Sequence, residues 1–397
     1  MNLRDKSYEL LRRNRRRTDT GHTYTVPSPE TYPYQWLWDS CFHAIVLAKF
    51  DPEAAISELR ALLSRQLPDG MVPHIIFWDT KITRPYNWGW GSSGVTSITQ
   101  PPMFAYAAQA IYQHTRETRF LEELFPPMLR FYQYLVDRRD PLDHHLVSII
   151  NPDESGEDNS PRFDAPMHVS SDISFFGHMY ERHKLVRANM VCDFNEEVCM
   201  KRNFWVKDVP FNVIMIKNLE ILAKLAKLVG DADAEHFATV NASLMRSAMR
   251  DVMLDDGVFW PVAGEHHELL KVATWSHFMP LFAELYTKEE AKAVVETHFH
   301  DHTTFRSPYG IRTVSQHEPS YRAAGFWRGP LWFAPHWFIY KGLRAYGFES
   351  EAAWIRTVSE RLIEHNGFRE YFNPETGKAY GAHNFTWGTL VLDMLEP

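Results

Sequence analysis

Cysteine is scarce in this 397-residue chain, with three residues in all: Cys41, Cys192 and Cys199. They make an odd count at spacings that match no zinc ligand set, so a disulfide framework is not expected and free thiols suit a reducing compartment. Long apolar runs are missing as well. No stretch approaches the ~20 residues needed to span a bilayer, and the N-terminus lacks the apolar core of a secretion signal, so a cytoplasmic location is expected. There is no Gly/Ser linker, no low-complexity tract and no break in composition, so residues 1–397 read as one large domain despite the length. No Gly-rich phosphate loop follows a strand and no Gly-x-Ser-x-Gly elbow appears, so neither a nucleotide cofactor nor a serine-hydrolase nucleophile is expected. The net charge is -8, with both signs interspersed, which leaves no extended positive face for nucleic acid. The run Arg12 to Arg17 is the exception, and it reads as the solvated face of an N-terminal helix.

What the chain has in quantity is apolar and aromatic side chains, 45% and 14% of residues, enough to bury a large core. Apolar residues recur at helical spacing, whereas period-two alternation is scarce. Helices are predicted near 3–17, 36–49, 52–66, 97–114, 118–137, 210–229, 233–253, 274–286, 288–298, 329–346, 349–364 and 384–395. Short polar turns alternate with long aromatic, Gly- and Pro-rich loops. An all-α fold with six inner and six outer helices, its long loops at one mouth, gives this pattern.

Those long loops carry the unusual residues. Tyr32-Pro-Tyr-Gln-Trp-Leu-Trp-Asp-Ser40 places Tyr34, Trp36, Trp38 and Asp39 ahead of an apolar helix. Tyr86-Asn-Trp-Gly-Trp90 adds Trp88. Phe326-Trp-Arg-Gly-Pro-Leu-Trp332 and the Tyr371-Phe372 pair complete the set. Flat apolar sugar faces stack on such rings while carboxylates and amides take the hydroxyls, so the mixture points to a carbohydrate pocket. A second signal is Asn151-Pro-Asp-Glu-Ser-Gly-Glu-Asp-Asn-Ser-Pro-Arg162. Four acids within six residues repel one another, which is useful where one carboxyl must keep its proton near neutral pH. A third is Gly367-Phe-Arg-Glu-Tyr-Phe-Asn-Pro374, with Glu370 set among aromatics.

Four pieces in order, Trp38-Asp39, Glu154-Ser-Gly-Glu-Asp-Asn-Ser-Pro-Arg162, Trp327-Arg-Gly-Pro-Leu-Trp332 and Glu370-Tyr-Phe-Asn-Pro374 followed by Asn384-Phe-Thr-Trp387, resemble glycoside hydrolase family 63. The similarity is to its short bacterial members acting on mannosylglycerate or glucosylglycerate, and the Glu-Ser-Gly-x-Asp-x-Ser segment is shared in outline with trehalases. The resemblance implies an (α/α)6 toroid and an inverting mechanism, with Asp158 as general acid and Glu370 as general base. It implies that Asp39 holds glycone hydroxyls and that Trp38, Gln100, Trp327 and Trp332 line the pocket. Inversion itself requires one protonated and one ionised carboxyl about 6.5–9.5 Å apart, with a water between them. Two distant loops can supply that gap, and adjacent acids such as Glu157 and Asp158 cannot.

A glycerate aglycone carries a carboxylate, for which Arg187 or Arg182 in the segment 168–207, or else Arg162, is the expected cation. The glycerate-specific relatives tend to have Tyr directly before Trp-Arg-Gly-Pro, where this chain has Phe326, so one donor is absent. Residues 168–207 are charged, lack an inner-helix stripe and follow the acid loop directly, as a lid over the mouth would; a purely structural flap is the other reading. His298, His300, His302 and the pair His266-His267 read as surface histidines, with no metal expected. The partner expected is a small sugar with an acidic aglycone; a homo-oligomer stays open. A trehalase-like or short-oligosaccharide α-glucosidase, or a sugar epimerase or isomerase using paired histidines on the same toroid, are the competing readings.

Overall fold

The computed structural model describes residues 2–79, 90 and 94–396, and these are mostly helical. The helices are α1 (Leu3–Asn14), α2 (Leu37–Leu47), α3 (Pro52–Leu63), α4 (Phe104–Thr115), α5 (Arg119–Arg138), α6 (Phe175–Val191) and α7 (Glu196–Arg202). They continue with α8 (Val209–Val229), α9 (Ala232–Met253), α10 (Met279–Phe282), α11 (Lys288–Val294), α12 (Phe333–Ala345), α13 (Glu349–Asn366) and α14 (Leu390–Leu395). Contacts run in a closed circuit from α2 to α4, α8, α10, α12, α14 and back to α2, while α3, α9 and α13 pack outside α2, α8 and α12. Burial follows this order. Every residue of α2 is buried, as a helix apolar all round should be. The outer α9 instead buries one stripe, Ala234, Ala238, Ala242, Met245, Met249 and Met253. The turn between α8 and α9 is encoded locally: Gly230 ends α8 at φ 77°, and the Asp231 side chain accepts from the Ala234 N–H to start α9.

Most helices begin and end near their predicted limits, and the differences have local causes. Helix α1 stops at Asn14, whose buried amide donates to the Asn384 carbonyl at 2.9 Å; Arg15–Arg17 then pairs as a strand with Thr23–Thr25. The predicted helix at 97–114 starts only at Phe104, because Pro101 disfavours helical backbone at Gln100 and Pro102 has no N–H to give. Residues 274–286 form a 3-10 turn, Trp275–Phe278, ahead of the short α10. Residues 384–395 do the same, with Thr386–Thr389 ahead of α14. The segment 168–207 holds two helices that apolar periodicity misses, since the buried positions of α6 are His178, Arg182, Val186 and Asn189. Its inward face is polar. No described helix is long and apolar enough to cross a membrane, and all three cysteines are free.

Candidate active site

One cavity of about 510 Å³ gathers residues from across the chain, a size suited to a disaccharide-like ligand. Asp158 and Glu370 both line it, with Asp39 and Gln100. Five of the predicted rings, Tyr34, Trp36, Trp38, Trp327 and Trp332, line it as well. Trp88 lies outside the described residues, while Trp90 of the same motif is a wall residue.

Asp39 sits in the first turn of α2 and is 4% exposed. Burial pushes its carboxyl up to about 7, against the pull of the hydrogen bond from Trp387 and with the nearby Glu370 adding to the rise. The Trp387 indole N–H donates to Oδ1 at 2.6 Å. Trp38 packs against Gly156 so closely that a Cβ there would fall 2.2 Å from the indole, and Gly156 has φ +74°. Glycine is therefore required on both steric and backbone grounds.

Glu370 lies on the strand Arg369–Phe372, paired with Ala379–His383, and is 3% exposed. The Tyr32 hydroxyl donates to Oε1 at 2.6 Å and the Ala382 N–H to Oε2 at 2.6 Å. Burial pushes this carboxyl up to about 7 despite those two donors, and Asp158 adds to the rise. If Glu370 has the base role expected from the sequence, it must be ionised to take a proton from water, so kcat/KM should climb with pH through about 7 and fall as Glu370 is protonated below it. A pH profile already flat well below neutrality would remove Glu370 from that role. Gly381 on the partner strand has φ +67°, and a Cβ there would sit 2.2 Å from Glu370 Oε2. Gly381→Ala should thus displace the carboxylate and lower kcat by about a hundredfold, the usual effect of a misplacement near 1 Å. Unchanged kcat in that variant would show that the carboxylate position is not critical.

The acid loop divides its four carboxylates between two jobs. Asn151 caps the 3-10 turn Pro152–Ser155, and Gly156 reverses the chain. Glu154 turns inward, where Arg139 grips it with two bonds at 2.7 and 2.9 Å and the Ile150 and Thr99 N–H groups donate. Glu157 turns inward too, bound by Arg162 at 2.8 Å and by the Trp275 indole at 2.7 Å. Asp153 and Asp158 are left facing the cavity. The density of acids therefore reflects two buried anchors that hold the loop and two carboxylates that line the cavity, both paired with Arg182.

Three expected substrate contacts are placed elsewhere. Arg162 is buried off the cavity, with Glu157 on one side and Asp208 on the other at 2.8 Å; two carboxylates already use its fork, so it is a clamp for the loop. Arg187 is exposed on α6 and is not part of the wall. The helix turns Arg182 inward instead, with Met179, His183 and Val186. Tyr371 stacks behind Trp332 at 5.1 Å, and Trp332 stacks on Trp327 at 4.1 Å with planes 4° apart. Tyr371 thus backs the indole pair that lines the cavity.

Asp153, Tyr32 and Trp387 line the cavity without having been singled out in the sequence. Tyr32 and Trp387 stand within recognised motifs but work through hydrogen bonds to Glu370 and Asp39, which adjacency in sequence does not reveal. His74, also in the wall, donates to or accepts from Thr96 at 2.8 Å, and burial lowers it to about 3. It is neutral, with no second histidine among the described wall residues except the exposed His183.

Residues 32–388 match the domain family described as mannosylglycerate hydrolase MGH1-like glycoside hydrolase domain. The chain belongs to this family. It is a glycoside hydrolase of family 63. It is 32% identical to a mannosylglycerate hydrolase of Thermus thermophilus, over 97% of this chain and 98% of that protein. It is 27% identical to a glucosylglycerate hydrolase of Mycolicibacterium hassiacum, over 97% and 96% of the two chains. A crystal structure of the mannosylglycerate hydrolase of Thermus thermophilus with Tris and D-glycerate superposes with a TM-score of 0.90 at 29% identity, covering both chains fully. The neutral trehalase of Saccharomyces cerevisiae, at 16% identity and a TM-score of 0.66 over 80% of its length, shares the fold.

Proposed function

We propose that this glycoside hydrolase cleaves a small α-linked glycoside with inversion, on an (α/α)6 toroid, and that glucosylglycerate or mannosylglycerate is its substrate. The observation that carries this reading is that Asp158 and Glu370, 212 positions apart in the chain, line one cavity, close enough for the charge of Asp158 to raise the Glu370 carboxyl. Asp158 protonates the leaving oxygen while Glu370 takes a proton from the attacking water. Asp39 holds glycone hydroxyls, and the indoles of Trp38, Trp327 and Trp332 meet the sugar faces. Relatives named for glycerate glycosides, and one bound to D-glycerate, support an acid-bearing aglycone. Arg182, whose guanidinium lines the cavity, is the cation that meets it on this reading. The segment 168–207, which brings Arg182 to the mouth, serves as the lid, and the enzyme works in the cytoplasm.

Turnover of a panel tests the substrate. Glucosylglycerate and mannosylglycerate should give higher kcat/KM than glucosylglycerol, trehalose or maltose. Because Phe326 supplies no hydroxyl, one charge-assisted hydrogen bond is lost, and the preference should be about ten- to a hundredfold weaker than a site with that donor would give. A disaccharide preferred by tenfold over both glycerate substrates would establish the α-glucosidase reading instead.

A further inference from the structure

We propose that Asp153 is a specificity-determining residue that competes with an anionic aglycone for the Arg182 guanidinium, and so narrows the enzyme's preference for acid-bearing over neutral leaving groups. Four carboxyls line the cavity, Asp39, Asp153, Asp158 and Glu370, against one guanidinium among the described wall residues, that of Arg182. The other cation of the acid loop, Arg162, is consumed by Glu157 and Asp208. Arg328, whose side chain is buried nearby, is consumed by Asp164, with bonds at 2.9 and 2.5 Å. Arg182 itself is already shared. One nitrogen, Nη1, pairs with Asp158 Oδ2 at 2.6 Å and also with Asp153 Oδ1.

Both partners sit on the acid loop and Arg182 reaches them from α6, so the bridge spans the leaving-group side of the cavity. Only one of those carboxylates has a role in hydrolysis. Asp158 must carry a proton to give to the departing oxygen, whereas Asp153 has no bond to make or break. Burial pushes the Asp153 carboxyl up to about 6, with Arg182 pulling it down and Asp158 pushing it up. Asp153, 18% exposed and paired with Arg182 Nη1, is a counter-ion, and an incoming carboxylate that binds the guanidinium competes with it for that nitrogen and for its positive charge. A neutral polyol aglycone faces no such competition. Specificity here is a difference between two affinities, and Asp153 opposes one of them.

The proposal rests on the hydrolytic reading above, but its test has an arm that does not. Binding of sodium D-glycerate and of glycerol is measured by calorimetry on the wild type, Asp153→Asn and Asp153→Ser. The same proteins are assayed with glucosylglycerate and glucosylglycerol. In both variants D-glycerate should bind about tenfold more tightly, the effect of one charge-assisted bond regained, with glycerol little changed. The kcat/KM ratio of acidic to neutral substrate should rise by a similar factor, carried by KM of the acidic one. Asparagine keeps the shape of the side chain and serine removes most of it, so agreement between them separates charge from packing. Unchanged or weaker glycerate binding in both variants overturns the proposal. Tighter glycerate binding with no turnover of either glycoside by the wild type leaves the proposal standing and overturns the hydrolytic reading.

Discussion

Glu370→Gln and Asp158→Asn are each expected to lower kcat by about a hundred- to ten-thousandfold, the usual worth of general acid or base help. Their double variant should be little worse than either alone, because groups that act as a unit are not additive. The fold should tolerate both changes. In Glu370→Gln, the Tyr32 hydroxyl that donates to Oε1 can turn to accept from the amide, while the amide oxygen keeps the Ala382 N–H. Asp158 is partly open to the cavity, and an amide of equal shape leaves its surroundings in place. Thermal melting should therefore shift little while turnover collapses. Near-normal kcat in either variant would remove that residue from the mechanism.

The largest loss of stability is expected from Arg162→Ala. The arginine is fully enclosed and its fork satisfies Glu157 and Asp208, whose side chains are 1% and 0% exposed. Removing it strands two carboxylates away from water, and breaking a buried pair from one side costs about 3–5 kcal/mol. Burial already pushes Glu157 up, with Arg162 opposing that rise, so the variant should take up protons on folding and lose further stability as pH rises. Urea titration at two pH values measures both effects. A variant with wild-type stability but a raised KM would mean that Arg162 contacts substrate after all.

The regular part of the fold is legible because it is written locally. Asp208 and Gly230 bracket α8, the stripe on α9 repeats every three to four residues, and the prolines at 101 and 102 explain why α4 starts late. The site is legible at the level of motifs, since the loop from Asn151 to Arg162 and the strand bearing Glu370 do meet in one cavity. What the sequence hides is direction. Nothing in Asp153-Glu-Ser-Gly-Glu-Asp158 says that the two inner acids, Glu154 and Glu157, turn inward to Arg139 and Arg162 while the outer two face the cavity, because periodicity cannot pair them with those partners. The same holds for α6. Its buried stripe contains His178, Arg182 and Asn189, which a search for apolar spacing passes over, so Arg187 and Arg182 cannot be told apart until the helix is built. Tyr32 and Trp387 reach Glu370 and Asp39 from 338 and 348 residues away, contacts made by chain closure alone.

Inversion is what the assignment of Asp158 as acid and Glu370 as base predicts, and the anomeric proton of the first sugar released reports it directly. Wild-type enzyme is mixed with an α-glucoside or α-mannoside of glycerate and followed by NMR before mutarotation scrambles the product. Asp158 as acid and Glu370 as base require the β-anomer to appear first and to decay toward the equilibrium mixture. Initial release of the α-anomer would mean retention through a covalent intermediate, and would contradict the assignment of both residues.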